Sequence, residues 1–359
     1  MCPHQREPHR TFGTDKTVTY SRVSIQDIAH AVGLSVTAVS KALRGESGVG
    51  KDTRDRIRDV ADRLGYVNPP PGLPLSIPRT YKAQFILPYD PVTHPGVIHQ
   101  EVLDGAASVL SEHGYTIDLV YRSSLTRRRQ TIEEALQSEA VDGSLLLAMR
   151  GSDIQDVPRR LERPVVVVNI EPEWEADCVV IDDRGGAVTA TSHLINSGHR
   201  IIGHVAGPPD VSSNALRRLG YDDAMRTRDM LPEPDLVEIA EPTVPGGYRA
   251  TSALLHRRPD ITAIFCGRDM MAVGAIRALN EAGLRVPQDV SIVGFDDDIF
   301  AALHMPALTT VRKPRRLMGE KAGQVLLNRF GRSGRSRPRK TVIRTQLVKR
   351  DTVATIRTR

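Results

Sequence analysis

The stretch SIQDIAHAVGLSVTAVSKALRG, residues 24–45, carries two short helical patterns back to back, and its reading decides the N-terminal architecture. Ser24, with Asp27 three residues on, nearly matches a capping box, and Ile25, Ile28, Ala29 and Val32 recur at helical spacing. Gly33 interrupts the pattern. Ser35 is placed to cap a second helix, along which Val36, Val39 and Leu43 repeat until Gly45 stops it. A third helix is expected over 51–64, burying Ile57, Val60, Ala61 and Leu64 and ending at Gly65. A helix, a glycine turn and a capped second helix are the parts of a helix-turn-helix, although the same spacing describes a plain three-helix bundle that binds nothing. The opening of the second helix, Ser-Val-Thr-Ala-Val-Ser-Lys, favours the former: its outer face is small or polar, as the major groove requires. Its N-terminal amides and the Ser35 and Ser40 hydroxyls suit a phosphate.

Outward from this segment the texture changes twice. Residues 1–22 have no sustained period and read as a disordered lead-in to a helix-turn-helix domain of residues 23–67. Residues 68–78, NPPPGLPLSIP, hold five prolines, which neither a packed helix nor a central strand accepts, so 68–80 reads as a linker. From 81 to 356 short apolar runs alternate with amphipathic stretches. Nine runs read as strands, at 83–88, 115–121, 142–148, 164–170, 178–183, 200–206, 235–240, 261–266 and 289–295. Helical patterns over 96–114, 183–198 and 269–283 lie between them, and Asp269 is expected to cap the last. β-branched strands joined by helices imply parallel sheets buried on both faces, and nine strands imply two similar subdomains.

Composition excludes more than it identifies. Hydrophobic residues at 40% and charged residues at 26% fit a globular chain, and no run of 18 apolar residues suggests a membrane span. The net charge of +6 is local: residues 312–359 hold sixteen Lys and Arg against two acids, leaving −8 on the rest. Much of that charge falls in GRSGRSRPRK (331–340), which reads as a solvated loop rather than a nucleic-acid patch. Cys2, Cys178 and Cys266 are too scattered for a metal motif or a disulfide framework, and the N-terminus lacks a leader's apolar core, so a cytoplasmic protein is expected. No phosphate loop, dinucleotide fingerprint or nucleophile elbow is present, and HPGVIHQE (94–101) lacks the one-face spacing of a zinc helix. The expectation is a binding protein without cofactor or metal, not an enzyme.

The segments RPVVVVN (163–169), DDRGGA (182–187), SGHRIIGHVAG (197–207), RRLGYDDAM (217–225), DMMAVGAI (269–276), VPQDVSIVGFDD (286–297) and PALTTV (306–311) follow the opening stretch in order. Together they resemble the lactose-repressor/galactose-repressor family over roughly residues 22 to 350. The resemblance implies an all-α helix-turn-helix headpiece and an α/β domain of two Rossmann-like lobes, similar to type I periplasmic binding proteins. It implies a transcriptional regulator, expected to be a repressor, whose operator affinity responds to a sugar or sugar derivative in the cleft. By the same resemblance Val36, Thr37 and Lys41 read bases, and Ser35, Ser40 and Thr53 contact phosphates. Lys41 stands where the family more often has arginine, which trades a planar fork for a point donor and loosens discrimination.

In the cleft, Arg217 matches the family's effector-clamping arginine and Asp296 its hydroxyl-accepting aspartate, while Asn169 and Tyr89 or Asp90 face them from the other lobe. Arg268 departs from the family, which usually has asparagine there. It either pairs with Asp296 and closes the hydroxyl site, or joins Arg217 in binding an anionic ligand. A homodimer, or a higher assembly, on a pseudo-palindromic operator is implied, with 269–283 and 303–327 resembling the family's dimer surfaces. A solute-binding protein and a sugar enzyme share the lobes, but the first lacks a headpiece and the second needs a catalytic set absent here. Relatives fold the linker into a hinge helix that wedges a leucine into the minor groove. Here Pro74 alone costs such a helix about 3 kcal/mol, so a polyproline-like strut is expected, with Leu75 the available wedge.

Overall fold

The computed structural model describes residues 25–44, 47–64, 66, 80–87, 97–127, 130–148, 151–154, 157, 161–330 and 337–356. The lead-in, Ser24, the linker up to residue 79 with Leu75, Tyr89, Asp90, His94 and residues 331–336 lie outside them. The chain divides into two compact units, Met1–Gly72 and Leu73–Arg359.

The first unit comprises α1 (Ile25–Val32), α2 (Val36–Arg44) and α3 (Lys51–Leu64). Gly33 takes φ +70° in the turn between α1 and α2, a conformation in which any Cβ is strained. Ser35 Oγ accepts from the Ala38 amide at 3.2 Å, the cap the sequence announces. Ile28, Ala29, Val32, Val39, Ala42, Leu43, Ile57 and Ala61 form one buried core, with Ile25 and Val60 against its edge. Leu64, expected inside, is 40% exposed: it ends α3, where the core no longer covers it.

The second unit is built on two six-stranded sheets. In chain order its elements are β1 (Lys82–Leu87), α4 (Val97–Glu112), β2 (Thr116–Tyr121), α5 (Arg122–Arg127), α6 (Ile132–Leu136), β3 (Gly143–Leu147), β4 (Val165–Val168), β5 (Asp177–Ile181) and α7 (Asp183–Asn196). Then come β6 (Ile202–Ala206), α8 (Ser212–Arg226), β7 (Val237–Ile239), α9 (Val244–Arg257), β8 (Ala263–Cys266), α10 (Asp269–Glu281), β9 (Ser291–Asp296) and α11 (Ile299–Leu303). The chain finishes with β10 (Thr309–Arg312), α12 (Arg315–Arg329), β11 (Lys340–Ile343) and β12 (Gln346–Val348). The first sheet has the order β11-β5-β4-β3-β1-β2 and the second β12-β10-β9-β8-β6-β7. Every pairing is parallel except β10 with β12.

All nine strands read from the sequence are present. β10, β11 and β12 are additional; at three or four residues each, amid basic side chains, they carry too little apolar signal to read as buried strands. Each sheet is covered on both faces, which is why β3 and β5 are buried at every residue. On the first sheet α4 and α12 supply one core, with Phe85, Leu145 and Leu326, and α5 and α6 supply the other. On the second, Ala187 of α7 and Tyr221 of α8 pack on one face, Leu254 of α9 and Met271 of α10 on the other. Helices α4 and α12 touch backbone to backbone: a Cβ at Gly105 would meet the Arg316 carbonyl, and one at Gly319 the Val102 carbonyl. The chain passes between lobes three times, after β5, after β10 and between β11 and β12, so α12 and β11 return to complete the first lobe.

Candidate functional site

Helix α2 presents its polar side outward because Val39, Ala42 and Leu43 hold its other side in the headpiece core. Val36 is 46% exposed, and Ser35, Thr37 and Lys41 are exposed beside it. Thr53, in the first turn of α3, is also exposed. Ser40 differs: it is buried at the edge of the core, which takes its hydroxyl away from the outer face where the resemblance puts a phosphate.

The carboxyl ends of β8 and β9 bring together three of the residues named for the cleft. Arg217, fully buried on α8, donates Nε and Nη2 to Asp183 Oδ1 at 2.9 and 2.8 Å and Nη1 to the Gly267 carbonyl. Its guanidinium lies 3.8 Å above the Phe295 ring centroid. Asp296, 2% exposed, accepts from Arg217 at 3.4 Å and from Arg268 at 3.5 Å, with Lys313 Nζ at 3.8 Å and Arg315 Nη2 at 3.9 Å. Burial pushes this carboxyl up, but the four cations outweigh it and hold it at about 2. Burial lowers Lys313 to about 8.

Three consecutive aspartates point three ways. Asp296 has φ +123° and Asp297 +55°, so the backbone turns sharply at the end of β9. Asp297 binds Arg312 and Arg350, each at 2.6 Å, and Asp298 binds Arg315 Nη2 at 2.8 Å. Arg315, which opens α12, also reaches Glu101 on α4 of the same first lobe, at 3.4 Å. Asp269 does not cap α10: Arg268 is the N-cap, without a side-chain cap bond. The fully buried Asp269 carboxylate accepts instead from Thr310 Oγ1 on β10 and from the Asp298 amide at 2.9 Å, tying strand to loop. Burial, with Asp296 nearby, raises it to about 7.

On the first lobe, Asn169 follows β4 with φ +77° and donates Nδ2 to the Ala148 carbonyl at 2.9 Å. Sequence reading named Arg217, Arg268 and Asp296 but missed Asp183, Asp298, Lys313 and Arg315. Their signals were the DD pair closing β5, the third aspartate of GFDDD and the KPRR run after β10. Among the described residues no group of His, Cys, Asp and Glu suits a metal ion, and no helix is long and apolar enough to cross a membrane.

Residues 24–68 match the bacterial regulatory proteins of the lacI family, and residues 191–353 match the periplasmic binding protein-like domain. The chain is 30% identical over 342 residues to the HTH-type transcriptional regulator CelR of Thermobifida fusca, covering 92% of this chain and 98% of the relative. This chain belongs to the lacI family. It is therefore a DNA-binding transcriptional regulator, with a headpiece followed by a two-lobed effector domain. It is also 30% identical to the repressor CytR of Escherichia coli K12, over 86% of this chain and 89% of that one. The solved complex of CelR with cellobiose superposes with a TM-score of 0.67 at 29% identity, covering 92% of this chain and all of that one.

Proposed function

We propose that this lacI-family regulator is a repressor that reads operator DNA through Val36, Thr37 and Lys41 of α2, and that Arg217, Arg268, Asp296 and Asn169 form its effector cleft. The observation that carries the reading is the division of α2: Val39, Ala42 and Leu43 inward, Val36, Thr37 and Lys41 outward. Ser35 and Thr53 are assigned to phosphates, Ser40 only if its hydroxyl turns outward, and Tyr89, Asp90 and Leu75 complete the sets by resemblance. The headpiece spans 23–67 and the effector domain 81–356. That CelR was solved with cellobiose supports a sugar or sugar derivative as effector.

The working form is a homodimer on a pseudo-palindrome, because one headpiece buries too little to select a site among a genome's competitors. Ile299, Leu303 and Met305 are 77, 76 and 87% exposed, beside a 390 Å³ groove in which Val273, Ile276 and Met305 meet Arg277, Asn280, Glu281 and His304. Three large apolar side chains exposed together support a partner copy. A cytoplasmic regulator without enzymatic activity is the reading that accords with this set.

The test is fluorescence anisotropy of the full chain on a selected operator over a salt series. A linear fall of log K with log salt is expected, and Lys41→Ala is expected to cost about 1–3 kcal/mol while flattening discrimination at one base pair per half-site. A uniform loss on all sequences moves Lys41 to the phosphates. Binding that ignores salt overturns the reading.

A further inference from the structure

Two neighbouring aspartates grip the chain on either side of a crossing between the lobes. Only Lys313 and Pro314 lie between the end of β10 in the second lobe and the start of α12 in the first, and the proline ring removes one backbone torsion from that short hinge. Asp297 holds Arg312, just before the crossing, at 2.6 Å, and Asp298 holds Arg315, just after it, at 2.8 Å. The first pair stays within the second lobe, because β9 and β10 are neighbours in one sheet. The second pair spans the seam.

Each end of that second pair is fixed to its own lobe. Asp298 donates its amide to Asp269 and leads into α11, whose Ala301 is fully buried in the second-lobe core. Arg315 opens α12, whose Met318, Ala322 and Leu326 lie in the first-lobe core. The backbone contact of α12 with α4 at Gly105 and Gly319 makes Arg315 and Glu101 one rigid piece. Rotation of one lobe on the other therefore spares the Arg315–Glu101 contact and works on Arg315–Asp298. The contacts of Arg315 are unequal in the same sense. Its side chain is 3% exposed, yet its one short bond runs from Nη2 to Asp298; Nη1 reaches Glu101 at 3.4 Å, and Nε is buried without an acceptor. A 360 Å³ groove lined by Glu101, Lys313, Pro314, Arg315 and Glu320 lies alongside and gives the guanidinium room to turn towards Glu101.

We infer that Arg315 and Asp298 form a clamp across the hinge, which holds the lobes in one arrangement while no effector is bound and lets go when Arg315 turns to Glu101. A buried guanidinium stays with its one good carboxylate partner because a buried charge left unpaired is costly, and Glu101 is the second carboxylate that makes release tolerable. The clamp stands on this pair alone, whereas its effect on operator DNA rests on the reading of the two lobes as the effector-responsive domain.

Pulsed electron paramagnetic resonance tests it by reading the interlobe distance in the full chain. Spin labels go on Glu133→Cys in α6 and Arg249→Cys in α9, with Cys2→Ser and an excess of unlabelled chain; Cys178 and Cys266 are buried out of the label's reach. Asp298→Asn and Arg315→Gln should each shift or broaden the distance, the double variant no more than either alone, and Arg315→Lys should lie nearer the parent. Arg312→Gln, which breaks the pair that stays within one lobe, should leave the distance as it is. Asp298→Asn, at a carboxylate 22% exposed, carries the test should Arg315→Gln fail to fold. An unchanged distance in Asp298→Asn, or an equal change in Arg312→Gln, overturns the clamp. Operator affinity of Asp298→Asn without added ligand should differ from the parent's by about fivefold or more. A changed distance with unchanged operator affinity keeps the clamp and removes lobe control of DNA binding, and a changed affinity with an unchanged distance overturns the clamp.

Discussion

Asp296→Asn tests the cluster at its centre. The carboxylate is 2% exposed and within 3.9 Å of four cations, and it is held at about 2 against an ordinary 3.8. That depression corresponds to about 2.5 kcal/mol favouring the ionised form. Because the folded value lies below the unfolded one, the contribution is present above pH 4 and lost as pH falls through 2. The amide removes more than this, since it strands Arg268 and Lys313; breaking a buried pair from one side costs about 3–5 kcal/mol. For a domain of this size each kcal/mol lowers Tm by about 2–4 °C, so a fall of about 6–20 °C is expected at pH 7. Scanning calorimetry of the full chain reads it, and the gap should narrow as the pH approaches 2. Asp298→Asn, at a carboxylate whose side chain is 22% exposed, should fall by less. An Asp296→Asn protein melting within a degree of the parent at pH 7 would refute the assignment of Asp296 as shared counter-ion.

Asp269 behaves in the opposite sense. Raised to about 7 by burial and Asp296, it stabilises the fold as the protonated acid, a contribution present below pH 4 and lost as pH rises to 7. Melts at pH 5 and pH 8 should therefore differ more in the parent than in Asp269→Asn, and equal differences would count against it. Leu303→Asp places a charge on a side chain that is 76% exposed. If the proposed dimer forms through this surface, sedimentation should show it dissociating at least tenfold more readily, with an unchanged monomer fold by circular dichroism.

The architecture was legible because its strands are uninterrupted apolar runs: VVVV at 165–168 and IFC at 264–266 admit few alternatives once a sheet is covered on both faces. β11 and β12 were not, since an edge strand needs only one buried face and theirs are short and flanked by Lys340, Arg344 and Lys349. At the site the resemblance supplied Arg217 and Asp296, but pairing partners are set by tertiary contact. Asp183 and Arg217 lie 34 positions apart, and Arg315 and Glu101 lie 214 apart, so no local pattern joins them. Asp269 shows the limit most clearly: an acid at a helix start reads as a cap, yet here it binds a neighbouring strand. That Val36 and Lys41 lie on the outer face was readable because one short helix carries both the buried stripe and that face.

The return of α12 and β11 to the first lobe bears on how the protein is made. A nascent chain emerges from the ribosome in order, and by Ile181 it has presented β1 to β5 together with α4. Yet β5 stays an open sheet edge until Lys340–Ile343 arrives, and the Gly105 side of α4 stays bare until α12 covers it. The second lobe, by contrast, has β6 to β10 in place before then. The upstream lobe is thus completed after most of the downstream one, and its apolar helix face and strand edge wait through more than a hundred residues of synthesis. Exposed edges and faces of that kind are where chains associate wrongly. Truncation ahead of α12 should yield an aggregating first lobe, not a shortened soluble one.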